Sequence, residues 1–381
     1  MKKALIDIKP IVEEVFQHLH ANPEISWKEF LTTTYLKDIL VREGFQVSTF
    51  EDSSGLVVTI GSGKPCIGLR TDMDALWQEV EGKFKANHSC GHDAHMTMAL
   101  GTLLMLKNLG IPKQGTLKVL FQPAEEKGTG ALSYIEKGLV DDIDYLYGVH
   151  LRPIQEIRNG FASPAILHGA AKLISGKIHG IEAHGARPHL GINAIEVGAQ
   201  IVQAIQGIYL DPMMSYSAKL TKFQAGGGSA NIIPGNAEFS IDVRAQSNTA
   251  MDELVTKVEH AIQSIATLNN IRIDFQIETE IAAAEVDSTA VEFMKEAIID
   301  TIGQDHYIPP IVTPGGEDFH FYTLKRPSIK ATMLGLGCDL SPGLHHPNMS
   351  FNHDSILTGI EILAKTIMGT FQKRGEEDDQ D

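Results

Sequence analysis

His88-Ser89-Cys90-Gly91-His92-Asp93-Ala94-His95 is the stretch that decides how this chain reads. A thiol and several imidazoles alternate with small residues. Directly after them Met96, Ala99, Leu100, Leu103 and Leu104 recur at helical spacing. The stretch therefore predicts a helix over 92–109 whose first turn carries ligand-type side chains. Around it, four apolar runs that read as strands stop at the same chemistry. Ile67-Gly68-Leu69 runs into Asp72-Met73-Asp74, and Leu117 to Phe121 runs into Gln122-Pro123-Ala124-Glu125-Glu126. Tyr145 to Val149 ends at His150, and Ala331 to Leu336 leads to a loop with His345 and His346. In open α/β sheets, sites gather beyond the carboxyl ends of the strands. Carboxylate, imidazole and thiolate arriving there together imply a bound metal and hydrolytic chemistry.

Working outward, Ile11 to Leu19 and Trp27 to Val41 read as helices, with strands at 57–60 and 67–70 and another at 117–122. This alternation predicts a mixed, mostly parallel sheet flanked by helices. The texture changes near Ala170. Strand-like 171–179, helix-like 193–208, strand-like 217–223 and 237–243, helical 252–268 and strand-like 271–280 follow in turn. That order, βαββαβ, is the ferredoxin-like pattern. The helix–strand rhythm then returns and ends in a helix over 355–371. We therefore expect one domain from residues 1–170 and 283–381, and an inserted lid or dimerisation domain over 171–282. The acidic stretch Gly375 to Asp381 reads as a disordered tail.

The 381 residues are 43% hydrophobic and carry a formal charge of -16, from 32 basic and 48 acidic residues. No basic stripe appears, which argues against nucleic acid as a partner. No apolar run is long enough to span a bilayer, and no apolar segment follows Met1-Lys2-Lys3 as a signal peptide requires. Three cysteines make a disulfide framework a poor reading and a reducing, cytoplasmic compartment the expected one.

Singly, these residues have plain explanations. Adjacent Glu125 and Glu126 suit a helix start, Cys90 alone suits a buried inert thiol, and His150 alone suits a satisfied core histidine. Their coincidence at one sheet edge carries the signal. One carboxylate of the pair can bind metal while its neighbour acts as general base on water. Of His92 and His95, only one need face the site. In the inserted segment, His184 can donate to a developing oxyanion, and Arg244 can grip a substrate carboxylate through its bidentate fork. Asn231 in its glycine-rich turn and Arg244 beside an acid also fit ordinary turn chemistry and a surface ion pair.

Together the motifs resemble the hippurate hydrolase and indoleacetyl-amino-acid amidohydrolase branch of the aminoacylase–carboxypeptidase dinuclear metallopeptidases. The resemblance runs from His20-Ala21-Asn22-Pro23-Glu24 to Asn352. Its markers are Asp72 to Leu76, His88 to His95, Phe121 to Glu126, Gly148-Val149-His150, Asn231 to Pro234, Glu317-Asp318-Phe319 and Leu344 to Pro347. It implies two divalent ions (Zn, Mn or Co) held by Cys90, His92, Glu126, His150 and His345, with Glu125 as general base. It also implies His184, Asn231 and Arg244 as substrate-contacting lid residues, and Asp74 as a supporting carboxylate. In some similar enzymes the equivalent of His184 reaches a neighbouring subunit's site. Trp77 stands where similar proteins usually have proline, and the link from Trp77 to Asn87 is shorter. Both departures bear on substrate preference.

The expected function is metal-dependent hydrolysis of N-acyl amino acids to a carboxylate and a free amino acid. The rivals are a dipeptidase or carboxypeptidase with the same site, a metal-independent cysteine amidase using Cys90, and a non-catalytic binding protein. The helix over 193–208 is more apolar than one buried face requires, so a homodimer through the inserted domain is a further expectation.

Overall fold

The computed structural model describes residues 1–378. Two compact units emerge. One comprises Met1–Leu167, Glu285–Val312 and Asp318–Asp381, and the other comprises His168–Ala284 and Thr313–Glu317.

The first unit opens with α1 (Lys2–Ala21) and α2 (Phe30–Arg42). Strands β1 (Val47–Thr49), β2 (Leu56–Ser62) and β3 (Cys66–Asp72) follow, then a hairpin of β4 (Leu76–Val80) and β5 (Lys83–Asn87). Next come α3 (His92–Asn108), β6 (Gly115–Gln122), α4 (Gly130–Glu136), β7 (Tyr145–Pro153), β8 (Ala162–Ser163) and β9 (Ile166–His168). Helix α1 begins nine residues before the expected Ile11. Pro10 removes one backbone donor, but Ala4 and Ile8 extend the buried stripe of Val12, Val15 and Leu19 and hold the extra turns. Strand β7 likewise runs past His150, because Leu151 and Arg152 remain paired with Leu336 and Gly337.

The second unit contains β10 (Ala170–His179), β11 (Ala183–His184), α5 (Ala194–Gln206), β12 (Tyr216–Ala225), β13 (Ile232–Ile233), β14 (Asn236–Ala245), α6 (Asn248–Leu268) and β15 (Arg272–Ile281). Its sheet is antiparallel in the order β12-β14-β10-β15, the ferredoxin-like arrangement. Phe239, Ile241 and Val243 of β14 alternate into the core shared with α5 and α6. Arg244 therefore lies on the opposite, uncovered face.

The chain then completes the first unit with α7 (Ser288–Ile302), β16 (Ile311–Thr313), α8 (His320–Lys325), β17 (Lys330–Leu340) and α9 (Ser355–Asp378). The main sheet has the order β1-β2-β6-β3-β7-β17-β8. Its four inner strands β6, β3, β7 and β17 are mutually parallel, with antiparallel partners at both margins. Ile67, Leu69, Leu117, Val119, Tyr145, Tyr147 and Val149 point to the face that joins α1, α3, α7 and α9 in one apolar core. Every residue of α3 from His92 to Leu106 is buried. Each Leu or Met it buries there contributes about 1.5–3 kcal/mol. Contrary to the disordered-tail expectation, residues 375–378 continue α9, because an established helix gains one hydrogen bond per added residue. Residues 379–381 of that expectation lie outside the described residues. Among the described residues no helix is long and apolar enough to cross a membrane.

Candidate active site

Because the four inner strands are parallel, the turns after β3, β6 and β17 open at one edge, and His150 sits near the same end of β7. Between β5 and α3, Gly91 adopts the left-handed conformation (φ 90°), and a Cβ there would meet Leu151 Cδ1 at 2.9 Å. Glycine is therefore required at the turn that sets Cys90 on one side and His92 in the first turn of α3 on the other.

Five triads of donor atoms lie within 4.8 Å of one another among the described residues, and two of them contain a thiol: Cys90, His92 and His150, and Cys90, Glu126 and His345. They share the Cys90 sulfur. His92 Nδ1 donates to the Asp74 carbonyl oxygen at 2.8 Å, and His150 Nδ1 donates to that of Leu151 at 2.7 Å. A carbonyl only accepts, so both imidazoles are held as tautomers whose Nε2 carries the lone pair. His150 Nε2 lies 3.6 Å from Cys90 Sγ. His92 Nε2 and Glu126 Oε1, 4.0 Å apart, are buried and make no hydrogen bond. His345 Nε2 approaches that Glu126 oxygen to 3.3 Å. The Cys90 sulfur and the Glu126 carboxylate push His345 up to about 10, so positive charge is favoured where the two donors converge. Burial pushes the Cys90 thiol up, and a coordinated cation is the usual means of ionising such a thiol. Unclaimed lone pairs on His92 Nε2 and Glu126 Oε1, grouped with His150 and His345 about one thiol, fit a pair of borderline-soft divalent ions.

The carboxylate pair is aligned from behind. Asp74 accepts the Glu125 N–H on Oδ1 (3.1 Å), and the Glu126 N–H (3.0 Å) and the Ser26 hydroxyl (2.6 Å) on Oδ2. Burial would raise Asp74, but His92 and these donors outweigh it and hold the carboxyl below its usual range. Ala124, immediately before the pair, is left-handed (φ 56°), and its N–H is held by Glu29 Oε1 at 2.9 Å. Glu125 is buried, with Oε2 3.9 Å from His92 Nε2.

Of the two helix-start histidines, His92 is the one that presents a lone pair. His95 Nδ1 bonds Asp72 Oδ1 (2.8 Å), and its Nε2 accepts the Leu151 N–H (3.0 Å). His346 instead organises its own loop, accepting the Asn348 N–H on Nδ1. Sequence reading missed the buried support beneath the site. Arg70 donates to Gln122 Oε1 (2.9 Å), Asp72 Oδ2 (2.9 Å) and Asp318 Oδ1 (2.5 Å). Burial pushes both carboxylates up. Asp72 is brought well below its usual range because His92, His95 and Arg70 all face it. Asp318 stays at about 6, since burial there exceeds the pull of Arg70 and Gln122. The available signal was Arg70 itself, a charge in an otherwise apolar strand.

In the second unit, His184 and Asn231 are neighbours. His184 pairs with Ile232 across β11 and β13, and the Gly185 N–H donates to the Asn231 carbonyl at 2.8 Å. His184 is exposed, and its Nδ1 accepts the Ala186 N–H. Arg244 is not beside them. It pairs with Asp242 (2.9 Å) at the end of β14 that faces Ala171, whereas the other end, Asn236, faces His179 and leads to the His184 turn.

Residues 68–369 match Peptidase family M20/M25/M40. The chain is 30% identical to the IAA-amino acid hydrolase ILR1-like 4 of Arabidopsis thaliana, over 80% of this chain and 73% of that protein. It is 29% identical to the N-acetyl-L-cysteine deacetylase of Bacillus subtilis, over 96% of this chain and 88% of that protein. Its fold superposes on the crystal structure of the Bacillus subtilis YXEP protein, a dinuclear metal binding peptidase from the M20 family. That match has a TM-score of 0.81 and 23% identity, and covers 98% of this chain and 99% of the other.

Proposed function

The chain belongs to Peptidase family M20/M25/M40 and is a metal-dependent amidohydrolase, and from that premise we propose that it hydrolyses N-acyl amino acids with Glu125 as general base. The observation that carries this reading is the pair of donor triads sharing Cys90, with unclaimed lone pairs on His92 and Glu126. Cys90, His92 and His150 would hold one divalent ion, and Cys90, Glu126 and His345 would hold the other. Zinc, manganese and cobalt all suit this set. When bound, such ions polarise an amide carbonyl and lower the pKa of water to near neutrality.

The remaining work falls to the chain's own groups. Glu125, fixed by its N–H to Asp74, takes a proton from the attacking water and delivers it to the leaving amine. Arg244 grips the carboxylate of the amino-acid half. His184 donates to the oxyanion as the tetrahedral centre forms, with Asn231 beside it.

The shape of the second unit supports a homodimer. Arg244 and Asn236 lie eight residues apart on one strand, roughly 26 Å at a strand's rise per residue. His184 and Asn231 lie beyond the Asn236 end. An N-acyl amino acid is far shorter than that span, so one lid cannot present both ends to one substrate. His184 and Asn231 therefore serve the site of a second copy. On α5, Ile195 and Ala199 remain exposed and Val202 only partly covered, an apolar stripe suited to pack on that copy. The three cysteines are unpaired and buried, which supports the cytoplasmic location expected for this chain.

The test measures metal content by mass spectrometry, together with hydrolysis of a mixed panel of N-acyl amino acids and free dipeptides before and after chelation. Bound metal with chelator-sensitive, metal-restored cleavage of acylated substrates is expected. Cleavage that survives complete metal removal and is abolished by alkylating Cys90 would overturn the reading in favour of a cysteine amidase.

A further inference from the structure

Four of the five proposed ligands sit on buried backbone or on the turn held by Asp74: His92 on α3, His150 on β7, Cys90 in the buried turn before α3, and Glu126 on the Asp74-held turn. His345 does not. It lies in the loop between β17 and α9, its side chain is 53% exposed, and its backbone is left-handed at φ 63°. A non-glycine residue stays in that conformation only where its surroundings force it to. Released, the loop would relax to negative φ and swing the imidazole away from Cys90 and Glu126.

Two contacts fix the His345 backbone. Its N–H donates to the Ser89 carbonyl at 2.7 Å, one residue from Cys90. Its carbonyl accepts Gln78 Nε2 at 3.0 Å. Gln78 is itself held, because Asn87 Nδ2 donates to Gln78 Oε1 at 2.7 Å and to the Pro347 carbonyl at 3.0 Å. The amide of Asn87 thus spends both its hydrogens on this one loop and its clamp. Gln78 and Asn87 belong to the β4–β5 hairpin. In its register Leu76 faces Asn87 and Trp77 faces Ala86, so Gln78 and Asn87 share a face while Trp77 and Phe84 point the other way. Glu81 and Gly82, both at positive φ, close the hairpin in two residues and make it short and stiff.

We propose that the β4–β5 hairpin is a clamp that positions His345, with Gln78 and Asn87 as positioning residues that set the affinity of the ion held by Cys90, Glu126 and His345. The proposal rests on the ligand assignment above. It makes the two ions unequal: the His92–His150 ion is held by buried elements, and the His345 ion depends on the hairpin. Partners that orient a ligand typically change metal affinity 10–100-fold when removed.

The test uses the full chain stripped of metal and titrated with Zn²⁺ against a chromogenic chelator. Gln78→Met keeps the side chain's length and removes its donor, and Asn87→Leu removes the brace behind it. Both are expected to weaken one of two binding classes by about 10–100-fold, to leave the other class and the thermal stability of the metal-free protein unchanged, and to have no further effect in a His345→Ala background. Two classes unchanged in Gln78→Met, when His345→Ala removes one, would overturn the clamp alone. Equal weakening of both classes with a lower melting temperature would also overturn it, because that is the mark of a merely structural role. If His345→Ala itself leaves both classes intact, the ligand assignment fails, and the clamp with it.

Discussion

The separation of Arg244 from His184 makes a prediction about which subunit supplies what. Arg244 lies near one end of the four-stranded sheet and His184 in the β11–β13 ribbon that follows its other end, past roughly 26 Å of strand, a span longer than an N-acyl amino acid. On the roles proposed for Arg244 and His184, each active site draws them from different copies. Removing an oxyanion donor costs about 10²–10³ in kcat, so His184→Ala homodimers should be nearly inactive, as should Glu125→Ala homodimers. A heterodimer of the two variants, co-expressed with different tags and purified through both, has one defective and one complete site. The Glu125→Ala subunit lends its intact His184 to the partner that still has Glu125. Its turnover per dimer should be about half that of the native dimer, as follows from two-fold symmetry. The same experiment with Arg244→Ala in place of His184→Ala should show no recovery, because Arg244 and Glu125 then act within one chain. The assay is initial rate on an N-acyl amino acid at saturating metal. Recovery by both pairs, or by neither, would refute the reasoning, as would failure to isolate any heterodimer.

Other outcomes follow from the buried polar groups. Glu125→Ala should lower kcat by about 10²–10⁴ while metal content stays at the native level, checked by paired kinetics and mass spectrometry. Glu29 is fully buried, and burial raises its carboxyl from 4.5 to about 7 against the bonds from Ser54 and Ala124. Its folded pKa exceeds its unfolded one, so its contribution is full below pH 4.5 and is lost as pH rises to about 7. That loss amounts to about 3 kcal/mol, and urea unfolding of Glu29→Gln against the native protein should show the variant gaining by that amount at pH 8 but not at pH 4.5. Replacing Arg70 by methionine leaves Asp72 and Asp318 without their shared cation, and should cost about 3–5 kcal/mol of unfolding free energy at neutral pH.

Much of the site was legible in the sequence because its signals are local. An apolar run that stops at Asp72, at Glu125-Glu126 or at His150 announces a strand end with polar chemistry, and burial of the run fixes the direction in which that end points. The βαββαβ order of the second unit is legible for the same reason: strand and helix periodicities of two and 3.6 residues need only a short window. The spacing of Cys90 and His92 about Gly91 is equally local, since one left-handed glycine sets both side chains.

Tertiary structure alone decided what each group is free to do. Nothing within the stretch from Cys90 to His95 distinguishes His92 from His95. The difference is that Asp72 and the Leu151 N–H occupy both nitrogens of His95, while the Asp74 carbonyl occupies only one of His92. Arg70 became a keystone only when the sheet brought Asp318 to it from 248 positions away, and His345 met its clamp in Gln78 across 267. The sequence by itself determined the kinds of donor and the sheet edge where they gather, because strand ends and helix starts are written in neighbouring residues. Which lone pairs stay open, which loop is braced and how Arg244 and His184 come to stand apart were decided by folding, because hydrogen bonds and distances are set by partners remote in the chain.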